Sequence, residues 1–519
     1  MKTQQKGIIS AGHKETATAG AEILKAGGNA YDAAIGAMLA AFTAESPVAI
    51  SAGGGGFLLA HSAKQESVLF DFFVQTPSSK RLLANEPDFY KVSVNFGTAT
   101  QDFHVGLASM AVHGNLAGAF HVHQRLGRMP FDEVVQPAID LAKKGILLSD
   151  YQAKTSRFLQ PILEASPENR AIFTKNGKLK QTGDSIIITD LADSLFLLGK
   201  EGTDEFYRGE IANRLANDCA EKGGFISRKD LENYRVIERK PLATNYKNNI
   251  LLTNPPPSSG GTLIAFALQL LQSYNVQAIA KNKKEYAQLL CHTMRITNKA
   301  RQKDFDAYIY QQGLAEHFLA TENTSPYHTM LKNSLLGSTT QISVLDAKGN
   351  AASLTLSSGV GTSYYIPNTG IMMNNMLGEA DLNPHGFHQW PNNKRISSMM
   401  SPSVILNDLG EKTVLGSSGS SRIRTAILQT LLNFIDLKMP LEKAVNASRL
   451  HIDSDILHIE NGFAQQELLQ NLDLSNNVAT KFWNEKNMYF GGLNAVMLDA
   501  KKQYTGVADE RRKGKVIFC

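Results

Sequence analysis

The segment TTQISVLDAKGNAASLTLS, running from Thr339 to Ser357, reads as a β-hairpin. Asp346-Ala347-Lys348-Gly349-Asn350 supplies a short loop with glycine where a left-handed backbone is needed. Pairing Asp346 with Asn350 sets Ser343 opposite Ser353, Gln341 opposite Thr355 and Thr339 opposite Ser357. Those side chains are all polar and share one face. The other face, with Ile342, Val344, Ala352, Leu354, Leu356 and Thr340, is almost wholly apolar. A slip of one residue would mix the two, so the pattern itself specifies the register. The Cβ atoms of Thr339 and Ser357 should then lie about 4.5–5.5 Å apart. A solvated Ser/Thr face and a site built on paired hydroxyls both fit this periodicity.

Outward from the hairpin, the second half of the chain is rich in strands from about residue 337. They are expected at Gly370–Asn374, Pro402–Asn407, Thr413–Gly416, Leu493–Leu498 and Tyr504–Ala508, with a helix at Ile423–Leu437. The first half alternates helical and strand patterns. Helices are expected at Glu15–Ala26, Tyr31–Ala44, Phe131–Lys144, Thr189–Leu198, Phe206–Glu221, Thr262–Tyr274 and Glu285–Asp304. The glycine run Gly53–Gly56 opens a short strand, and Pro255–Gly261 makes a stiff turn before a helix. The fold class is α+β, with helices covering sheets.

Composition narrows the function. The 519 residues can bury a large core without disulfides or metal. Cys219, Cys291 and Cys519 are odd in number and widely spaced, which excludes a disulfide framework and a CxxC zinc site. A net charge of +5 without long basic clusters excludes nucleic-acid binding as the main task. The apolar run Ala33–Ala44 is short of the roughly 20 residues that cross a bilayer, so it is expected to be a buried helix. No membrane partner and no export address is expected, which leaves the compartment open.

Ordered blocks along the chain resemble the γ-glutamyltranspeptidases, a family of N-terminal-nucleophile hydrolases. They are Gly12-His13, Ala21–Ala30, Asp32–Ala34, Gly53–Phe57, Val135–Ala138, Pro255–Gly261, Gly337–Thr340, Asn374-Asn375, Ser397–Met399 and Gly416–Ile423. The resemblance covers nearly the whole chain and implies a four-layer αββα sandwich. It also implies self-cleavage between Ser338 and Thr339, giving a heterodimer of a large subunit, 1–338, and a small subunit, 339–519. Thr339 would be the nucleophile, and its freed α-amine the base. With a reference pKa of about 7.7–8.0 that amine is partly neutral near physiological pH. The hydroxyl would attack an amide carbonyl of a small γ-glutamyl donor of glutathione type, form an ester, and pass the acyl group to water or an amine. The reaction needs neither cofactor nor metal.

The same resemblance assigns Ser357 to support the nucleophile, where the family has a second threonine. It assigns the oxyanion hole to Gly419 and Ser420, where two glycines are usual. A phosphate loop is the rival reading of Gly416–Ser421, but the lysine of that motif is absent. Ser397 and Ser398 match serines that bind the donor's α-carboxylate. Other positions depart from the pattern. Phe73 stands where an arginine holds that carboxylate, and loss of such a contact costs about 1.5–3 kcal/mol. Gly359 replaces an asparagine, Met376 a glutamine, Gln341 a histidine, and Glu379 the aspartate that holds the α-amino group. Arg395 or Arg422 could replace the missing arginine. Otherwise the pocket takes a non-glutamyl acyl group, as in cephalosporin and glutaryl acylases, or the chain is an unprocessed, inactive binding protein. His113, His121 and His123, and the pair His385 and His388, lack the carboxylate and helix context of a zinc site.

Overall fold

The computed structural model describes residues 5–46, 50–80, 86–95, 100–324, 339–383, 386–453, 456–465, 472 and 478–519. Ser338 and His385 lie outside the described residues.

The hairpin forms in the register its pattern specifies. Strands Thr340–Asp346 and Ala351–Ser357 pair with Gln341 opposite Thr355 and Ser343 opposite Ser353. Asp346 N–H donates to the Asn350 carbonyl at 3.1 Å and closes the loop. These strands occupy the middle of an antiparallel seven-stranded sheet. Its spatial order is Ile237–Arg239, Ser67–Phe72, Gly55–His61, Ala351–Ser357, Thr340–Asp346, Gly7–Ala11 and Lys515–Phe518. A second antiparallel sheet has the order Leu242–Tyr246, Asn249–Thr253, Ser403–Asn407, Lys412–Ser418, Gly492–Leu498 and Tyr504–Ala508.

The sheets pack face to face, and helices cover both outer faces in a four-layer αββα arrangement. The hairpin's apolar face, with Ile342, Val344 and Leu354, joins the core beneath helices Lys14–Ala26 and Ala30–Ala44. Every residue of Ala30–Ala44 is buried, and Asn29 with Asp32 closes its N-terminus in a reciprocal capping box. Helices Gly260–Leu271 and Arg422–Leu431 share the core of the second sheet, with Val404, Val414 and Val496.

Several expectations need correction. The polar face of the hairpin is not solvated: Gln341, Ser343, Ser353 and Thr355 are fully buried. The stretch Phe206–Glu221 forms two helices, Asp204–Tyr207 and Glu210–Lys222, because the chain turns at Gly209, whose N–H donates to the Asp204 carbonyl. Of Gly370–Asn374 only Ile371–Met372 is a strand. Strands are denser after residue 337, as expected, yet six of the thirteen described in the two sheets precede it. Gly7–Ala11, Leu242–Tyr246 and Asn249–Thr253 are strands that periodicity did not reveal.

Candidate active site

Thr339 stands at the N-terminal edge of the central strand, 5% exposed. One step beyond the Thr340–Leu356 pair, the antiparallel register sets it opposite Ser357. Both residues line a pocket of about 330 Å³, together with Phe73, Met376, Glu379, Asp381, Ser398, Met399 and Ser420. The expected residues thus converge, apart from Ser397 and Gly419, which stand just outside the lining. Ser397 Oγ meets Ser259 Oγ at 3.2 Å.

Beneath the nucleophile position the buried hairpin face forms a bonded layer between the sheets. Gln341 Nε2 donates to Ser343 Oγ and Ser353 Oγ, each at 3.0 Å, while its Oε1 accepts from Thr355 Oγ1 at 2.5 Å. Ser353 Oγ donates to the Leu415 carbonyl at 2.8 Å, and Ser343 Oγ to the Asn494 carbonyl at 3.0 Å. Asn494 Nδ2 returns a bond to the Gln341 carbonyl at 2.8 Å. Gly416 is required by this layer, because a Cβ there would lie 2.1 Å from Gln341 Oε1. A charge-free amide is therefore the hub that ties strand Thr340–Asp346 to the second sheet.

On the helical side, Thr340 Oγ1 donates to Glu45 Oε2 at 2.6 Å, and Thr16 Oγ1 to Glu45 Oε1 at 2.8 Å. Glu45 ends helix Ala30–Ala44 and anchors the residue that follows Thr339. Arg512 Nη1 donates to the Thr339 carbonyl at 3.3 Å. These residues face a second cavity of about 410 Å³ that also reaches Thr339 and His13. Burial lowers the His13 pKa, opposed by the nearby Glu45 and Glu15 carboxylates. Neither Glu45 nor Arg512 is flagged by the sequence; the one signal is an acid closing an otherwise apolar helix.

The turn after strand Lys412–Ser418 places Gly419 at φ +111° and Ser420 at φ +53°. Glycine adopts such angles freely and serine does not. Ser420 Oγ donates to Asp381 Oδ2 at 2.7 Å, a bond that holds this residue in place. Burial raises the Asp381 pKa to about 6, against the Ser420 hydroxyl and the Arg301 and Arg422 charges, which pull it down. Glu379 is pushed well above the usual carboxylate range by burial and then by Asp381. Asp381 has no motif to announce it; its only sequence signal is an acid two residues after Glu379.

Among the described residues no lysine or arginine lines this pocket. Phe73 stacks on Phe57 with ring centroids 5.4 Å apart. Arg395 does not replace the missing cation: it pairs with Asp71 at 3.3 Å, lies over the Tyr234 ring and donates to the Phe73 carbonyl. Arg422 donates through Nε to the Tyr489 carbonyl at 2.9 Å and covers the Tyr489 ring. The Pro-rich turn buttresses the opposite wall, where Ser258 Oγ and Ser259 N–H each donate to the Ser398 carbonyl at 2.9 Å.

The histidines do not converge. His121 pairs with Glu238 at 3.0 Å, His123 Nε2 meets the Met129 carbonyl at 2.7 Å, and burial pushes His113 down to about 4. Among the described residues no group of three or more His, Cys, Asp or Glu could hold a metal ion. Among them too, no helix is long and apolar enough to cross a membrane.

A family model described as Gamma-glutamyltranspeptidase matches residues 16–519. The Glutathione hydrolase proenzyme of Escherichia coli is 29% identical over 502 residues, covering 89% of this chain and 84% of that protein. The Acylase ACY 1 proenzyme of Pseudomonas sp. is 28% identical over 529 residues, covering 99% and 94% respectively. The crystal structure of cephalosporin acylase from Bacillus halodurans superposes with a TM-score of 0.83 at 20% identity, covering 99% of this chain and 96% of that one. This last likeness shows the fold, a four-layer αββα sandwich.

Proposed function

Because the chain belongs to the γ-glutamyltranspeptidase family, we propose that it is a self-processing acyltransferase and amidohydrolase with Thr339 as nucleophile. The observation that carries this reading is the placement of Thr339 at the end of a central strand, opposite Ser357 and in one pocket with Ser420. Relatives named as proenzymes support the maturation step. Thr339 Oγ attacks the Ser338 carbonyl, the peptide bond becomes an ester, and water releases residues 1–338 from 339–519. The strands of the two pieces interleave in the seven-stranded sheet and adjoin in the second, so the products stay together as a heterodimer.

In the mature enzyme the free α-amine of Thr339 takes the hydroxyl proton as Oγ attacks the donor amide carbonyl. Backbone N–H groups of Gly419 and Ser420 receive the developing oxyanion, and Ser357 orients the nucleophile. Collapse expels the amine with the transferred proton and leaves an ester on Thr339. Water or a second amine then takes the acyl group. Neither step calls on a cofactor.

A γ-glutamyl amide of glutathione type is the donor suggested by the relatives named glutathione hydrolases. A second reading, an acylase acting on non-glutamyl amides, is favoured by the acyl pocket, whose described lining has Phe73 and no cation. Ser398 alone of the two expected serines reaches the lining on that side.

Intact mass and N-terminal sequencing after incubation near neutral pH test the proposal. Two fragments, the smaller beginning Thr-Thr-Gln-Ile, are expected. A stable uncut chain would leave Thr339 without its amine and would favour the binding-protein reading.

A further inference from the structure

The wall of the acyl pocket leaves polar atoms unanswered. Glu379 is 3% exposed, and its Oε1 has no hydrogen-bond partner. Asp381 Oδ1 is also buried without one, while Oδ2 is held by Ser420. Gly359 makes room for the longer acid: a Cβ there would lie 2.7 Å from Glu379 Oε1 and 2.1 Å from Asn375 Oδ1. Across the pocket stand Phe73, Met376 and Met399.

We propose, resting on Thr339 as the acyl-accepting nucleophile, that this pocket takes an acyl chain that ends in an ammonium and carries no carboxylate. The 4-aminobutanoyl group is the type, in place of γ-glutamyl or glutaryl. An ammonium has three N–H donors, enough to reach both Glu379 Oε1 and Asp381 Oδ1. Burial and the neighbouring acid push the Glu379 carboxyl toward its neutral form, while Asp381, raised by burial to about 6, is the acid that carries negative charge near neutral pH. An ammonium is drawn to that charge. A carboxylate would instead add a second negative charge in a site of low dielectric. It would find an aromatic ring where a guanidinium fork is needed. Ser398 offers it a neutral hydroxyl, whose oxygen already accepts from Met400 N–H at 3.0 Å. The methylenes of the acyl chain rest on the methionine and phenylalanine side chains.

Four p-nitroanilides separate the two charges: 4-aminobutanoyl, butanoyl, γ-glutamyl and glutaryl, each given to the self-cleaved protein. The expected kcat/KM for 4-aminobutanoyl exceeds that for butanoyl and for γ-glutamyl by about tenfold or more, with glutaryl lowest. Phe73→Arg should raise γ-glutamyl relative to 4-aminobutanoyl, and Asp381→Asn should erase the advantage of 4-aminobutanoyl over butanoyl. Self-cleavage of each variant reports that it has folded. Faster turnover of γ-glutamyl than 4-aminobutanoyl, or of glutaryl than butanoyl, would overturn the proposal. So would a self-cleaved protein that hydrolyses none of the four. Failure to self-cleave at all would instead remove the nucleophile reading beneath it.

Discussion

Two polar regions meet at Thr339 and treat their polar atoms differently. In the layer beneath it, Gln341, Ser343, Ser353, Thr355 and Asn494 are bonded to one another and to both sheets. In the pocket wall beside it, Glu379 and Asp381 each keep a buried oxygen without a donor. The floor is satisfied by the chain alone, as buried polar groups in a stable core must be. The wall is not, and its two free carboxyl oxygens are the partners that the proposed ammonium would meet. Substitutions in the floor should therefore act through stability and positioning, and substitutions in the wall through selectivity and pH.

The sharpest way to separate the engine from its surroundings is Thr339→Ala. It should abolish cleavage of the chain and lower turnover on the order of 10⁴-fold or more, measured by intact mass and by anilide hydrolysis. The floor should yield next. Gln341→Ala leaves buried hydroxyls without their partner, a loss of about 1–3 kcal/mol that thermal unfolding would register as a lower midpoint. Gly416→Ala should cost a similar amount by pressing on Gln341 Oε1, 2.1 Å from the added Cβ. Combined with Gln341→Ala it should cost much less, since the obstructing amide is gone. Additive losses would show that the two strands do not communicate through this bond.

The wall should reveal itself in pH dependence. Asp381 titrates near 6 in the folded chain, above the usual carboxylate range. Between about 4 and 6 the unfolded chain has released that proton and the folded one retains it, so stability from this group falls as pH rises through that window. Thermal unfolding of the unsubstituted protein relative to Asp381→Asn should show that decline, with little further change above it. A flat difference would mean that the carboxyl is not held protonated. The smallest effect is expected for Ser420→Ala, which removes the hydroxyl that favours the ionised acid. The upper edge of the same window should then move to higher pH.

How much of this was legible beforehand varies residue by residue. The pairing of Gln341 with Thr355 and of Ser343 with Ser353 followed from a two-residue period and a glycine-bearing loop. The same period could not say what covers the polar face, and a second sheet lies there rather than water. Thr339, Ser357 and the Gly419-Ser420 turn were reached through resemblance joined to that register. Asp381 was missed because it lies in an irregular stretch, where no period links position to orientation. Glu45 was missed because its partners, Thr16 and Thr340, come from distant parts of the chain.

By itself, then, the sequence determined the register of the hairpin and the helix-and-sheet class and carried the proposal of Thr339 as nucleophile, all of which depend on local spacing or ordered blocks. Only the tertiary structure decided that the hydroxyl face is a bonded interior layer, that Arg395 is engaged by Asp71 and Arg422 by Tyr489, and that Gly359 accommodates Glu379. Each of these depends on which distant groups approach within a few ångströms, and alternation along one strand carries no information about the neighbours stacked against it.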